Sequence, residues 1–223
     1  MKKYIEIVAI IICIIGLIVG LIESHTLHNR ISDLEKHHIP DQIEYSYLYD
    51  CMMEAELNYW DAKTTLVIEV QNYISQIAPS SNLRGYAIVE ECEKYNIDPI
   101  FVLAQAEIES HFGTKGLGSK FNNVFNVDVH DKVKGKADMN KKYIFDYPNQ
   151  SIEPYLQLLT NNYLPGKLEV DLMQNYDDIN GSRYASDPDY ETKLQSKYKF
   201  IEENTKIGEY YALMKNYAIK CNR

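Results

Sequence analysis

Positive charge is in short supply in this chain. Its 223 residues hold 23 lysines and arginines against 32 aspartates and glutamates, a formal charge of −9. Such a balance leaves no electrostatic footprint for DNA or RNA, so no nucleic-acid partner is expected. It also repels anionic polymers, and a neutral or short-range ligand fits better. Cysteine is scarce too. Cys13, Cys51, Cys92 and Cys221 form no CxxC pair, which leaves a zinc ribbon or a redox motif unsupported. Four cysteines are too few for a disulfide scaffold, although a Cys92–Cys221 bridge stays open. The histidines show no metal-ligand pattern: His37 and His38 are adjacent and point apart on a helix, and His25 and His28 are three apart with no further ligand spacing. No metal and no cofactor are expected. Repeats and low-complexity tracts are missing.

What remains is ordinary for a folded protein, 45% hydrophobic and 25% charged, except for 19 tyrosines. A tyrosine offers an apolar face with a polar tip, suited either to core packing or to stacking on sugars.

The one long apolar run lies at the N-terminus. Residues 4–22, YIEIVAIIICIIGLIVGLI, are interrupted only by Glu6. As a helix they span roughly 28 Å, close to one bilayer core. No small-x-small cleavage site follows, so an uncleaved transmembrane anchor is expected rather than a signal peptide. Lys2 and Lys3 keep residues 1–3 in the cytoplasm and place the rest on the outer side. Gly16 and Gly20 form a GxxxG that offers a homodimer contact.

Residues 23–62 are polar and mixed, with Leu27, Ile31 and Leu34 as a single stripe and Pro40 as a break. They read as a stalk. From residue 63 the pattern is that of a helical domain. LVIEVQNYISQI keeps helical period and stops before APSS. Ser81 or Asn82 is the expected cap of the next helix, LRGYAIVEECEKYN. Asp98 and Pro99 are the N-cap and first residue of IFVLAQAEIESHF, with Gly113 as its stop. Short β-like segments run to Tyr147, and helix returns at 151–164, 187–204 and 207–220. The fold class is mostly α with a small β element, in a domain spanning 63–206, followed by a C-terminal helix at 207–223.

Within LAQAEIESHFG, Leu103 and Ala106 share a face that runs directly into Glu109. The helix dipole and partial burial both disfavour a charged Glu there, which suits a carboxylic acid that hands a proton to a leaving group. Glu107, two positions away, reads as a solvated residue on another face.

The stretch LAQAEIESHFG resembles the Q-A-x-x-E-S-x-x-G signature of the glucosaminidase domain of bacterial and phage autolysins, glycoside hydrolase family 73. GSKFNNVFNV resembles the family's N-N-x-F-G-I segment, with Asn126 where the family has Gly. FDYPNQSIEPY and RYASDPDYETKL resemble two further segments in the family's order. The resemblance covers about residues 70–204. It implies a lysozyme-like fold and hydrolysis of β-1,4 bonds next to N-acetylglucosamine in peptidoglycan. Glu109 would be the general acid, and Tyr184 matches the active-site tyrosine. Asn122, Asn123, Phe125 and Tyr147 would bind substrate, and Ser110 would support the helix end.

A second carboxylate is usual in such chemistry. Asp128, Asp131 and Asp138 are the candidates, with Asp131 slightly ahead, and the substrate's own N-acetyl group is another route. His111 and His130 read as packing or cleft-wall residues. A lytic transglycosylase and a non-catalytic wall-binding protein of the same fold are the competing readings.

Overall fold

A computed structural model describes residues 25–26, 42–128, 136–137 and 143–221. The expected anchor at 4–22, Gly16 and Gly20, the Leu27–Ile31–Leu34 stripe, His130, Asp131 and Asp138 lie outside the described residues. Among the described residues no helix is long and apolar enough to cross a membrane. The chain divides into two compact units after Met53, and residues 54–223 carry the site.

Helix α1, Gln42–Ile77, contains neither glycine nor proline, so nothing interrupts it at the stalk boundary expected after residue 62. Its inward stripe is Leu66, Val70, Tyr73 and Ile74. Lys63, nearly buried, is drawn to Glu90 at 2.9 Å and Glu93 at 2.8 Å on helix α2, Gly85–Tyr95. The expected caps of α2 are not the observed ones. Ser81 instead donates to the Phe112 carbonyl at 2.7 Å. The first free amides of α2 are met from elsewhere in the fold: Arg84 N–H by Asn149 at 3.0 Å, and Gly85 N–H by Gln71 of α1 at 2.8 Å. Residue 85 is glycine because a Cβ there would lie 2.7 Å from the Gln71 backbone nitrogen.

Helix α3, Pro99–Ser110, is the centre of the domain. Every residue from Pro99 to Ala106 is buried, which is how a helix apolar all round must sit. Asp98 caps it as expected, accepting from Ile100 N–H at 2.8 Å. The stop differs. His111 already leaves helical geometry at φ +50°, and Phe112 (φ +57°) and Gly113 (φ +74°) follow in the same region. His111 N–H and Phe112 N–H close the last turn on Glu107 and Ala106 carbonyls at 2.9 and 3.0 Å. Phe112 is fully buried against Tyr73, ring centres 6.0 Å apart, and that packing holds an unfavourable backbone.

Beyond it come α4 (Gly116–Phe121) and a two-stranded antiparallel hairpin, β1 (Lys136–Ala137) with β2 (Tyr143–Ile144). A 3-10 turn (Pro148–Ser151) leads into α5 (Ile152–Leu158), which widens into a π turn over Leu159–Tyr163. Helices α6 (Glu169–Leu172), α7 (Tyr190–Asn204) and α8 (Ile207–Cys221) complete the chain. Among the described residues the protein is mostly helical with little strand, as expected. Helix α8 is part of the same core: Ile207 and Met214 are buried, and Gly208 packs close to Ile100 of α3. Cys92 is a free, fully buried thiol, so the Cys92–Cys221 bridge does not form.

Asp98 also accepts from Tyr198 O–H at 2.6 Å, while Glu169 accepts from its own N–H at 3.0 Å. Burial pushes its carboxyl above the usual range, the Tyr198 and Ile100 bonds resist, and Glu169 and Glu202 add repulsion. A raised folded-state value means the folded protein holds this proton more tightly than the unfolded chain does. Stability therefore falls as pH climbs from the ordinary aspartate value, about 3.9, through the raised one. Asn keeps the cap without the charge. The Asp98→Asn protein is expected to melt higher than wild type at pH 7, with the gain vanishing below about pH 4; thermal melts across pH check it.

Candidate active site

Glu109 stands on the last turn of α3, half-buried. One carboxylate oxygen, Oε1, accepts from Tyr190 O–H at 2.6 Å. The other, Oε2, accepts from Asn126 Nδ2 at 3.1 Å, and the same amide donates to the Glu109 carbonyl at 2.8 Å. Both donors favour the charged carboxylate, while burial and the helix C-terminus disfavour it. The sequence displays only the second pair of influences.

Tyr190 is itself held from behind. Its oxygen accepts from Gln105 Nε2 at 3.0 Å. Gln105 is four residues before Glu109 and fully buried, so it lies one turn below the carboxylate on the same face. Its Oε1 accepts from Tyr176 O–H at 2.8 Å and from Tyr155 O–H. The amide therefore gathers two tyrosine hydroxyls and directs a third at Glu109. Burial, then the charge of Glu109, pushes the Tyr190 phenol far above its ordinary value. It stays an O–H donor throughout the working pH range.

Tyr184 joins this group from the loop before α7. It stacks on Tyr176, ring centres 4.4 Å apart at 12°, and approaches Tyr190 at 5.6 Å. Its phenol is likewise raised by burial and then by Glu109. The π turn of α5 brings in Tyr163, edge-on to Tyr176 at 5.3 Å and to Tyr184 at 5.4 Å. Of these, Tyr155, Tyr163, Tyr176 and Tyr190 are buried and Tyr184 is half-buried. Tyr155, Tyr163 and Tyr176 take the packing role, while Tyr190 also donates to Glu109.

The loop after α4 closes the other side of the site. Ser110 Oγ donates to the Val124 carbonyl at 2.7 Å and accepts from Gly113 N–H at 2.8 Å. Gly118 fits against it because a Cβ there would fall 2.3 Å from the Ser110 Cβ. Asn123 is buried, with its amide donating to Val127 and Tyr143 carbonyls at 2.9 and 3.0 Å and accepting from Val127 N–H at 2.9 Å. Phe125 is buried face to face on Tyr155 at 3.9 Å. These two expected substrate-binding residues are packed into the wall of the site. Asn122, half-buried at φ +51°, ties the loop to the Phe145 and Asp146 carbonyls at 3.0 and 3.1 Å. Tyr147, the fourth, is exposed.

Glu107 departs from the expectation: it is not solvated but accepts from Tyr73 O–H at 2.7 Å and pairs with Lys197 at 2.6 Å. Asp128 is half-buried at the end of the described loop. His111 is half-buried at the α3 terminus.

Sequence reasoning missed Gln105, Tyr190 and the contacts of Asn126. The first had a signal: a lone amide in an apolar run, one turn from the carboxylate. Tyr190 lay within the quoted DPDY stretch with nothing to distinguish it from 18 other tyrosines.

No curated protein matches the chain. The family model described as glucosaminidase, mannosyl-glycoprotein endo-beta-N-acetylglucosaminidase, matches residues 85–203, just over half of the chain, from the start of α2 to one residue short of the end of α7. That match contains Gln105, Glu109, Asn126, Tyr184 and Tyr190, and the chain belongs to the glucosaminidase family of glycoside hydrolases.

Proposed function

We propose that this chain is a membrane-anchored peptidoglycan hydrolase that cleaves β-1,4 bonds next to N-acetylglucosamine, with Glu109 as general acid. The observation that carries the reading is the Glu109 carboxylate, fixed at one oxygen by Tyr190 and at the other by Asn126 on the end of a buried helix. Fixing both oxygens restricts the rotamer, so the acid meets a glycosidic oxygen in one geometry rather than many. The transferred proton is carried by this carboxyl group. As the bond to the leaving sugar breaks, that proton passes to the glycosidic oxygen, and water completes the cleavage at the anomeric carbon.

Positive charge develops on the sugar ring in such a transition state. Glu109, once it has given its proton, supplies a nearby negative charge, and Tyr190 stabilises it. Tyr184 is placed as a neighbour of that pair. The opposite carboxylate is Asp128, Asp131 or Asp138, or is replaced by the substrate's N-acetyl group. A lysozyme-like arrangement fits a Glu at the end of the central helix followed by a short hairpin. The apolar residues 4–22 and Lys2 and Lys3 support an anchor that holds the domain on the wall side of the membrane.

Digestion of purified peptidoglycan by the full chain, followed by mass analysis of soluble fragments, tests the reading. Fragments with reducing N-acetylglucosamine ends are expected. Anhydro ends would make it a transglycosylase, and no fragments from a folded protein would leave wall binding alone.

A further inference from the structure

We infer that Asn126 is a positioning residue for the reaction, one that clamps Glu109 by bridging its carbonyl and its carboxylate with a single amide. The inference rests on Glu109 being the general acid. Asn126 sits at φ +53°, a left-handed conformation that Gly adopts freely and Asn tolerates best among residues with a side chain. A glycine there would satisfy the backbone and give Glu109 nothing. The asparagine adds two contacts from the same nitrogen, 2.8 Å to the Glu109 carbonyl oxygen and 3.1 Å to Oε2.

The orientation of the amide follows from chemistry. A carbonyl oxygen and a carboxylate oxygen only accept, so the NH2 end must face them. One of the two bonds anchors the amide to the end of α3. The other then meets the carboxylate at a fixed place relative to its own helix. Tyr190 holds the far oxygen from α7. The acid is thus gripped by two separate segments of chain, and the Asn126 grip depends on one side chain in the loop after α4.

This contact has a signature in pH. Donation to the carboxylate favours its charged form, and loss of the donor favours the protonated acid. The alkaline limb of the kcat/KM profile reports loss of the acid's proton. The Glu109 charge acts on the phenols of Tyr176, Tyr184 and Tyr190. All three phenols are held well above their ordinary range, chiefly by burial, so none titrates across that limb. Glu107, on the same helix, is engaged by Lys197 and Tyr73.

The test compares wild type, Asn126→Gly and Asn126→Asp on solubilised uncrosslinked glycan strands, with Glu109→Gln beside them. Asn126→Gly suits the positive φ and keeps the fold, as a thermal melt verifies. Its kcat is expected to fall about tenfold with KM nearly unchanged, and its alkaline limb to move up by roughly one pH unit. Asn126→Asp removes the donor and adds a like charge, so its limb moves further in the same direction. An unmoved limb in a folded Asn126→Gly protein overturns the inference, because a residue that only shapes the loop leaves the acid's titration alone. Full activity in Glu109→Gln overturns the underlying reading instead.

Discussion

Peptidoglycan hydrolysis by the Glu109→Gln protein is expected to fall by roughly 10²–10⁴-fold, the contribution of a positioned general acid, while the fold and wall binding survive. Gln matches Glu in shape but has no proton of the right acidity. It also changes the local hydrogen bonding in a defined way. Tyr190 and Asn126 both donate to this side chain, and Gln offers one accepting oxygen where Glu offered two. About one hydrogen bond is lost, worth roughly 1 kcal/mol, too little to unfold a domain. Release of soluble fragments and sedimentation with intact wall, measured on the same preparation, separate the two effects. Glu107→Gln supplies the contrast. Glu107 is on the same helix, but its partners are Lys197 and Tyr73, so that change is expected to lower stability modestly and leave turnover within about twofold. Were both variants to retain turnover, the acid would have to be sought elsewhere.

Periodicity and caps made most of the helices legible, because those signals act over a few residues. Asp98 followed by Pro99 started α3 where local rules place it. Local rules failed where a neighbouring element supplied the partner. Ser81 and Asn82 were the natural caps of α2, yet Gln71 and Asn149 reach its first amides from 14 and 65 positions away in sequence. The end of α3 shifted from Gly113 to His111 because tertiary packing of Phe112 overrode its backbone preference. In the site, Glu109 was legible as an anomaly, a carboxylate at the wrong end of a buried helix. Its partners were not. Tyr190 is 81 residues away, and nothing in a row of tyrosines says which one turns its hydroxyl toward a carboxylate. Asn123 and Phe125 are buried in the site wall, and burial is a property of the folded neighbourhood that a sequence does not display.

The largest expected effect on stability comes from Gln105→Leu. Leu keeps the volume and removes every polar contact. Tyr155 and Tyr176 both donate to Gln105 Oε1, and both are fully buried. They converge on one oxygen and so can turn to each other, one hydroxyl donating and the other accepting. That leaves one O–H without an acceptor in an apolar interior. Tyr190 keeps Glu109 but loses the Gln105 amide that donates to its oxygen. One orphaned hydroxyl and two lost bonds together cost about 2–4 kcal/mol, a large share of a typical stability of about 5–15 kcal/mol. For a domain of this size that lowers Tm by roughly 4–16 °C. The reverse arm is the stronger check. Adding Tyr155→Phe and Tyr176→Phe to Gln105→Leu replaces donors and acceptor together by apolar groups of similar shape, and such exchanges come close to neutral. The triple variant is therefore expected to melt above the single one, against the usual run in which destabilising changes add. A triple variant that melts lower still would mean the two hydroxyls have partners of their own besides Gln105, and that Gln105 serves chiefly to aim Tyr190.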